Sequence, residues 1–72
     1  MPTDVRAHIT GTVWKVEVLP GERVEKSQTL VILESMKMEI PVEAPQAGTV
    51  DRVSVAAGQS VEEGDLLITL KP

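Results

Sequence analysis

The chain has no cysteine, so neither a disulfide nor a thiolate metal site can brace it. Aromatic residues are almost as scarce: Trp14 stands alone, without a single Phe or Tyr. A groove that stacks single-stranded nucleic acid needs several aromatic platforms beside basic residues, and this sequence supplies neither. Positive charge is thin as well. Seven Lys and Arg face eleven Asp and Glu, a net charge of −4 with no basic block, which excludes a surface built for a nucleic-acid backbone. The one histidine, His8, cannot form a metal site by itself and reads as a strand or loop residue. The longest strictly apolar run, Leu30 to Leu33, is four residues, far short of a membrane span. Met1-Pro2-Thr3-Asp4 lacks the charged-then-apolar opening of a secretory signal. There is no nucleophile–base pair, glycine-rich phosphate loop or metal cluster, so no enzyme activity is expected. These absences together predict a cytoplasmic protein with neither a membrane nor a nucleic acid as partner. The net charge and the lack of large apolar patches predict a monomer.

What remains is a valine-rich chain of 72 residues, enough for one small domain spanning 1–72. Eleven valines and four isoleucines outnumber six leucines and five alanines. β-branched side chains lose little freedom in a pleated strand and are crowded in a helix. Trp14, Val16 and Val18 alternate with Lys15 and Glu17, and Val53 and Val55 alternate with Arg52 and Ser54. That period of two marks half-buried strands, and it places Trp14 in the core or at its edge. Val16 and Leu33 are expected to be buried. Turn residues at Pro20-Gly21, Ala57-Gly58 and Glu63-Gly64-Asp65 punctuate the strands at short spacing. No window carries a helical stripe. The chain reads as all-β.

The sequence is also a duplication. A shift of 37 positions aligns 5–33 with 42–70 without a gap, and twelve of 29 pairs are identical, from Val5/Val42 to Leu33/Leu70. Most of the identities are valines, leucines and glycines, the residues that set core positions and turns. Two copies are too few for a solenoid. Two halves related by a twofold axis, each covering the apolar face of the other, is the economical arrangement. The linking stretch 34–41 then has its counterparts at the two termini, which should lie at the opposite end of the domain.

That link breaks local rules. With Met36-Lys37 as a two-residue turn, Leu33 faces Ile40 and Val31 faces Val42, sensible apolar pairs. Yet such turns favour Asn-Gly or Asp-Gly over Met-Lys, and the same register sets Glu34 against Glu39. Two violations in six residues suggest a site rather than scaffold. Between residues 27 and 51, Lys37 is the only basic residue, amid Glu34, Glu39, Glu43 and Asp51. A lysine that acts alone as an amine catalyst needs burial or neighbouring cations. Lys37 has carboxylates beside it instead: either it only screens two glutamates on a solvated turn, or, if it reacts, an external enzyme and a pre-activated acyl donor must do the work.

Glu34-Ser35-Met36-Lys37-Met38-Glu39 closely resembles the attachment motif of the biotinyl/lipoyl domain family, whose centre is Met-Lys-Met with the lysine biotinylated. Gly11-Thr12-Val13 resembles the early glycine turn of that family. Val55 to Val61, followed by Gly64-Asp65-Leu66-Leu67, resembles its C-terminal half. The nearest resemblance is to small stand-alone bacterial biotin/lipoyl attachment proteins. It implies a flattened β-barrel (a barrel-sandwich hybrid) of two interlocked four-stranded sheets with the modified lysine on a hairpin turn. It also implies a swinging-arm carrier. Lys37 would be joined to biotin by biotin protein ligase, then shuttle a carboxyl group between biotin carboxylase and carboxyltransferase sites. Glu34, Met36, Met38 and Glu39 would be contacts for the ligase and the partner enzymes.

The resemblance has limits that the residues set. Carriers of many bacterial acetyl-CoA carboxylases insert a thumb in the first half. Here Leu19-Pro20-Gly21 is the same length as Ala56-Ala57-Gly58, which leaves no room for one. That leans toward carriers serving other acyl-CoA or 2-oxo-acid carboxylases. A lipoyl domain, with lipoate on Lys37, shares the barrel and the hairpin lysine, and the name of the stand-alone family implies that Lys37 could accept both groups. It typically has an acidic residue before that lysine, where this chain has methionine on both sides. An unmodified adaptor barrel, as in efflux-pump components, lacks the Met-Lys-Met turn.

Overall fold

Strands are the expected outcome of so many β-branched residues, and the computed structural model, which describes residues 1–72, contains eight of them and no helix. They are β1 (Thr3–Arg6), β2 (Gly11–Val16), β3 (Arg23–Val24), β4 (Thr29–Ser35), β5 (Met38–Glu43), β6 (Gly48–Val53), β7 (Ser60–Val61) and β8 (Leu66–Lys71). Two antiparallel four-stranded sheets result, in the orders β1-β8-β6-β3 and β5-β4-β2-β7. Advancing the first four strands by 37 positions turns one order into the other, so the sequence duplication is a structural one.

The two halves are interlocked rather than stacked. β1 and β3 come from the first repeat but pair with β8 and β6 of the second, while β5 and β7 pair with β4 and β2 of the first. Turns reinforce the exchange. The Gly21 N–H donates to the Val50 carbonyl at 2.7 Å, and the Gly58 N–H donates to the Val13 carbonyl at 2.7 Å. Side chains close the turns in duplicate too. The Leu19 N–H donates to the Glu22 carboxylate at 3.1 Å, as the Ala56 N–H does to the Gln59 side-chain oxygen at 3.2 Å.

The enclosed core holds 16 residues, all of them Val, Leu, Ile or Ala, and no polar side chain is buried. Such a core is cohesive but offers no directional polar contact, so register is left to the turns and strand pairing.

One expectation fails in an informative way. Trp14 is 40% exposed, neither in the core nor in line with Val16 and Val18. The reason is a β-bulge. Val13 pairs with Leu33 and Lys15 with Ile32, leaving Trp14 as the extra residue. The second repeat has the same bulge at Asp51, between Val50 opposite Leu70 and Arg52 opposite Thr69. The bulge also rotates Val16 to a half-buried position against the core, whereas Leu33 is wholly enclosed.

The placement of the termini follows from connectivity. β1 starts opposite Leu70 and runs toward the loop that opens β2, whose first residues lie beside Glu34 at the base of the hairpin. Both chain ends therefore lie at the pole away from residues 36 and 37, on a body 33 Å long and 17 Å across.

Truncating Leu33 to Ala is expected to cost roughly 2–4 kcal/mol, and Val16→Ala only about 1 kcal/mol, in denaturant unfolding. Equal losses would contradict the bulged geometry. Ser27 has φ 72° where its counterpart Gly64 has φ 94°. Ser27→Gly relieves a left-handed penalty of about 1–2 kcal/mol at some cost in unfolded-chain entropy. Its midpoint should rise slightly, by roughly 0.5 kcal/mol in stability.

Candidate functional site

The β4–β5 hairpin is paired in the register that the apolar alternation calls for. Val31 lies opposite Val42, Leu33 opposite Ile40, Glu34 opposite Glu39 and Ser35 opposite Met38. Only Met36 and Lys37 remain for the turn. Both have positive φ, 54° and 65°, which is the signature of a type I′ turn. The right-handed twist of a tight two-residue hairpin demands that backbone, yet neither residue is one that adopts it readily. Each left-handed residue with a full side chain costs of the order of 1–2 kcal/mol, so this turn is kept at a cost to stability.

The base of the hairpin is set by close packing of backbone. At Gly11, the first residue of β2, an added Cβ would sit 2.5 Å from the Glu34 carbonyl oxygen. Gly48 repeats the arrangement in the second half, 2.7 Å from the Lys71 carbonyl oxygen. Glycine at 11 thus lets β2 press against the last residues of β4 and hold the stem of the hairpin firmly.

The tip itself is fully presented. Lys37 is exposed, and its ammonium makes neither a hydrogen bond nor an ion pair with this chain. Met36 is 92% exposed and Met38 62%, so both methionines project outward instead of packing on the end of the barrel. Glu34 and Glu39 face one another on the exposed side of the hairpin, again without a basic partner. The structure therefore gathers Glu34, Met36, Lys37, Met38 and Glu39 into one projecting feature. Glu43 is on the same hairpin farther down, and Asp51 lies on the other sheet, paired with Lys71 at 3.9 Å. His8 is exposed in the connection between β1 and β2, remote in sequence from the tip.

Chemically, the tip is an unencumbered primary amine on a rigid stem. No cavity forms beside it to shield a reaction from water. An acyl group on the Lys37 nitrogen would meet no steric obstacle, so the residues present fit an amide-linked prosthetic group. Two features of this region escaped the sequence reading. The contact of Gly11 with Glu34 is a matter of tertiary approach, and Trp14 was masked by the bulge; comparison with Asp51 in the other repeat was the one available signal that position 14 is not a core position.

Comparison with known proteins agrees with this geometry. Residues 3–70 match the biotin/lipoyl family described as "biotin-requiring enzyme". The biotin/lipoyl attachment protein of Bacillus subtilis is 52% identical over 40 residues, 56% of this chain and 55% of that protein. The biotinylated protein TB7.3 homolog of Mycobacterium leprae is 54% identical over 44 residues, 61% of this chain and 62% of that protein. The matched stretch thus spans little more than half the length of these curated relatives. Among solved structures, the urea carboxylase of Kluyveromyces lactis superposes with a TM-score of 0.93 at 31% identity, over 99% of this chain and 6% of that one. A single-chain, multi-domain long-chain acyl-CoA carboxylase gives 0.90 at 38% identity, over 94% of this chain and 7% of that one. With the interlocked sheets, the hairpin lysine and a match over nearly every residue in agreement, the chain belongs to the biotin/lipoyl attachment family.

Proposed function

We propose that this chain is a biotin carboxyl carrier with Lys37 as the attachment residue. The observation that carries the reading is the isolated, outward-facing amine of Lys37 on a type I′ turn inside Glu34-Ser35-Met36-Lys37-Met38-Glu39. Acylation forms a carbon–nitrogen bond at Nζ as the bond from the acyl carbon to its activating group breaks, and the lysine nitrogen gives up its excess protons. The pre-activated donor is an acyl-adenylate supplied by a biotin protein ligase, and AMP is the leaving group. Bound there, biotin would offer a ureido nitrogen that takes up a carboxyl group at one partner site and gives it up at the other.

The chain's own contribution is mechanical. Lys37 fixes one end of a long flexible arm, and the hairpin stem, held by Gly11 and the Leu33–Ile40 pair, keeps that end from wandering. Presenting a tethered group to two sites in turn raises its effective concentration at each, so the carrier's rate advantage is proximity. Biotin carboxylase and carboxyltransferase are the partners this role requires, and the likeness to parts of urea and acyl-CoA carboxylases supports them. Methionine on both sides of Lys37 favours biotin over lipoate. Glu34, Met36, Met38 and Glu39 are contacts for ligase and partners; methionine is unbranched and adaptable, suited to more than one surface. No helix is long and apolar enough to cross a membrane.

Incubation with biotin, ATP and a biotin protein ligase, followed by intact mass and peptide mapping, is expected to show one biotin, on Lys37. Lys37→Arg should unfold like the unsubstituted chain and gain nothing. Addition at Lys15, Lys26 or Lys71, or gain only with lipoate and a lipoyl ligase, would overturn the reading. Met36→Asn places a residue that tolerates the left-handed region at φ 54°. It should raise stability by about 1 kcal/mol while lowering kcat/KM for the ligase, separating recognition from folding.

A further inference from the structure

The duplication supplies an internal control for surface chemistry. Both halves build the same strands, bulges and core, so residues that differ at matched positions on the outer faces are not required by the fold. On the sheet β1-β8-β6-β3, that outer face is polar and closed by two ion pairs, Arg6 with Asp4 at 3.2 Å and Lys71 with Asp51 at 3.9 Å. The matched positions on β5-β4-β2-β7 are Glu43 with Pro41 and Glu34 with Trp14. In each case one ion-pair member has become apolar and the other is a carboxylate with no basic partner. Thr69 is likewise matched by Ile32.

These substitutions converge. Pro41 lies opposite Ile32, and Ile32 opposite Lys15, in one row across the sheet. The adjacent row toward the tip is Glu39, Glu34 and Thr12. Trp14 projects from the bulge next to Lys15, whose ammonium lies 4.7 Å from the centre of the indole ring. The result is an apolar strip of Trp14, Ile32 and Pro41 with Glu34, Glu39 and Glu43 around it, leading up to Lys37.

We propose that this outer face is the surface by which the ligase that acylates Lys37 selects that lysine, with Trp14 as the anchor and the ligase offering an apolar patch rimmed by basic residues. The proposal rests on the reading of Lys37 as the attachment residue. Three arguments fix the occupant. Before acylation the chain shows four lysines, Lys15, Lys26, Lys37 and Lys71, so the choice among them has to be encoded in protein surface; later partners can grip the prosthetic group itself. Reach also fits. Ile32 is five residues from Lys37, at most about 16 Å along the strand, and a standard contact patch of about 800 Å² is about 32 Å across. Charge agrees as well, because the three carboxylates outnumber the single cation of Lys15 on this face, and the net negative charge favours a basic rim.

The single tryptophan makes the test direct. A Lys37→Arg chain, which cannot turn over, is labelled with 5-fluorotryptophan and titrated with unlabelled biotin protein ligase, following its one fluorine NMR resonance. That resonance is expected to shift or broaden saturably. In biotinylation kinetics, Trp14→Asp, the residue the other half uses, should raise KM by about tenfold or more with kcat nearly unchanged. Asp51→Trp on the opposite sheet should leave both constants within about twofold. A resonance unmoved at saturating ligase, or an unaltered KM in Trp14→Asp, would overturn the proposal while the attachment reading stands. A shift caused by carboxyltransferase but not by ligase would also overturn it. Failure of the unsubstituted chain to accept biotin would remove both. The NMR arm does not depend on whether Trp14→Asp folds.

Discussion

The reciprocal exchange of backbone hydrogen bonds between the two repeats is the constraint on which the rest of the molecule depends. Gly21 bonds to the bulged strand of the second repeat and Gly58 to that of the first, while Ser27 bonds to Ala44 and Gly64 to Ala7. Neither repeat can complete a sheet from its own strands, because β1 and β3 have partners only in the other half. Each half is therefore the template for the other. In a core of valine, leucine, isoleucine and alanine without one buried polar group, hydrophobic burial supplies cohesion and this exchange supplies uniqueness. Its stiffness reaches the tip through β2 and β4, which is what allows a strained two-residue turn to persist at the end of a small domain.

Twofold duplication also separates what folding demands from what function demands. Core and turn positions agree across the repeats, as in Val13/Val50, Gly21/Gly58 and Leu30/Leu67. Disagreement gathers on the outer faces and at the hairpin, whose counterpart in the other half is simply the pair of chain ends.

Much of this was legible in the residues. Alternation gave the hairpin register down to the opposed Glu34 and Glu39, and the 37-residue shift gave the twofold duplication, whereas the interlocking of the two sheets was implied by the family resemblance alone. Lys37 stood out because it was the one basic residue in an acidic stretch. Trp14 was misplaced, because a bulge is an event of the backbone with no side-chain signature; it changes which neighbours alternate without changing the residues that do so. Val16 was misjudged for the same cause. The left-handed φ of Ser27 and the tight approach of Gly11 to Glu34 depend on neighbours distant in sequence, and no local pattern encodes either.

The position of the chain ends has one further consequence. Both leave from the pole opposite Lys37, and the long axis between the poles is about twice the width of the body. Anything tethering the molecule at either end holds it by the far end of a stiff rod. A modest rotation at that tether is magnified at the lysine, so the barrel is itself a first, rigid lever arm. The flexible side chain at its tip is only the second, and the distance a cargo can sweep is set by both in series.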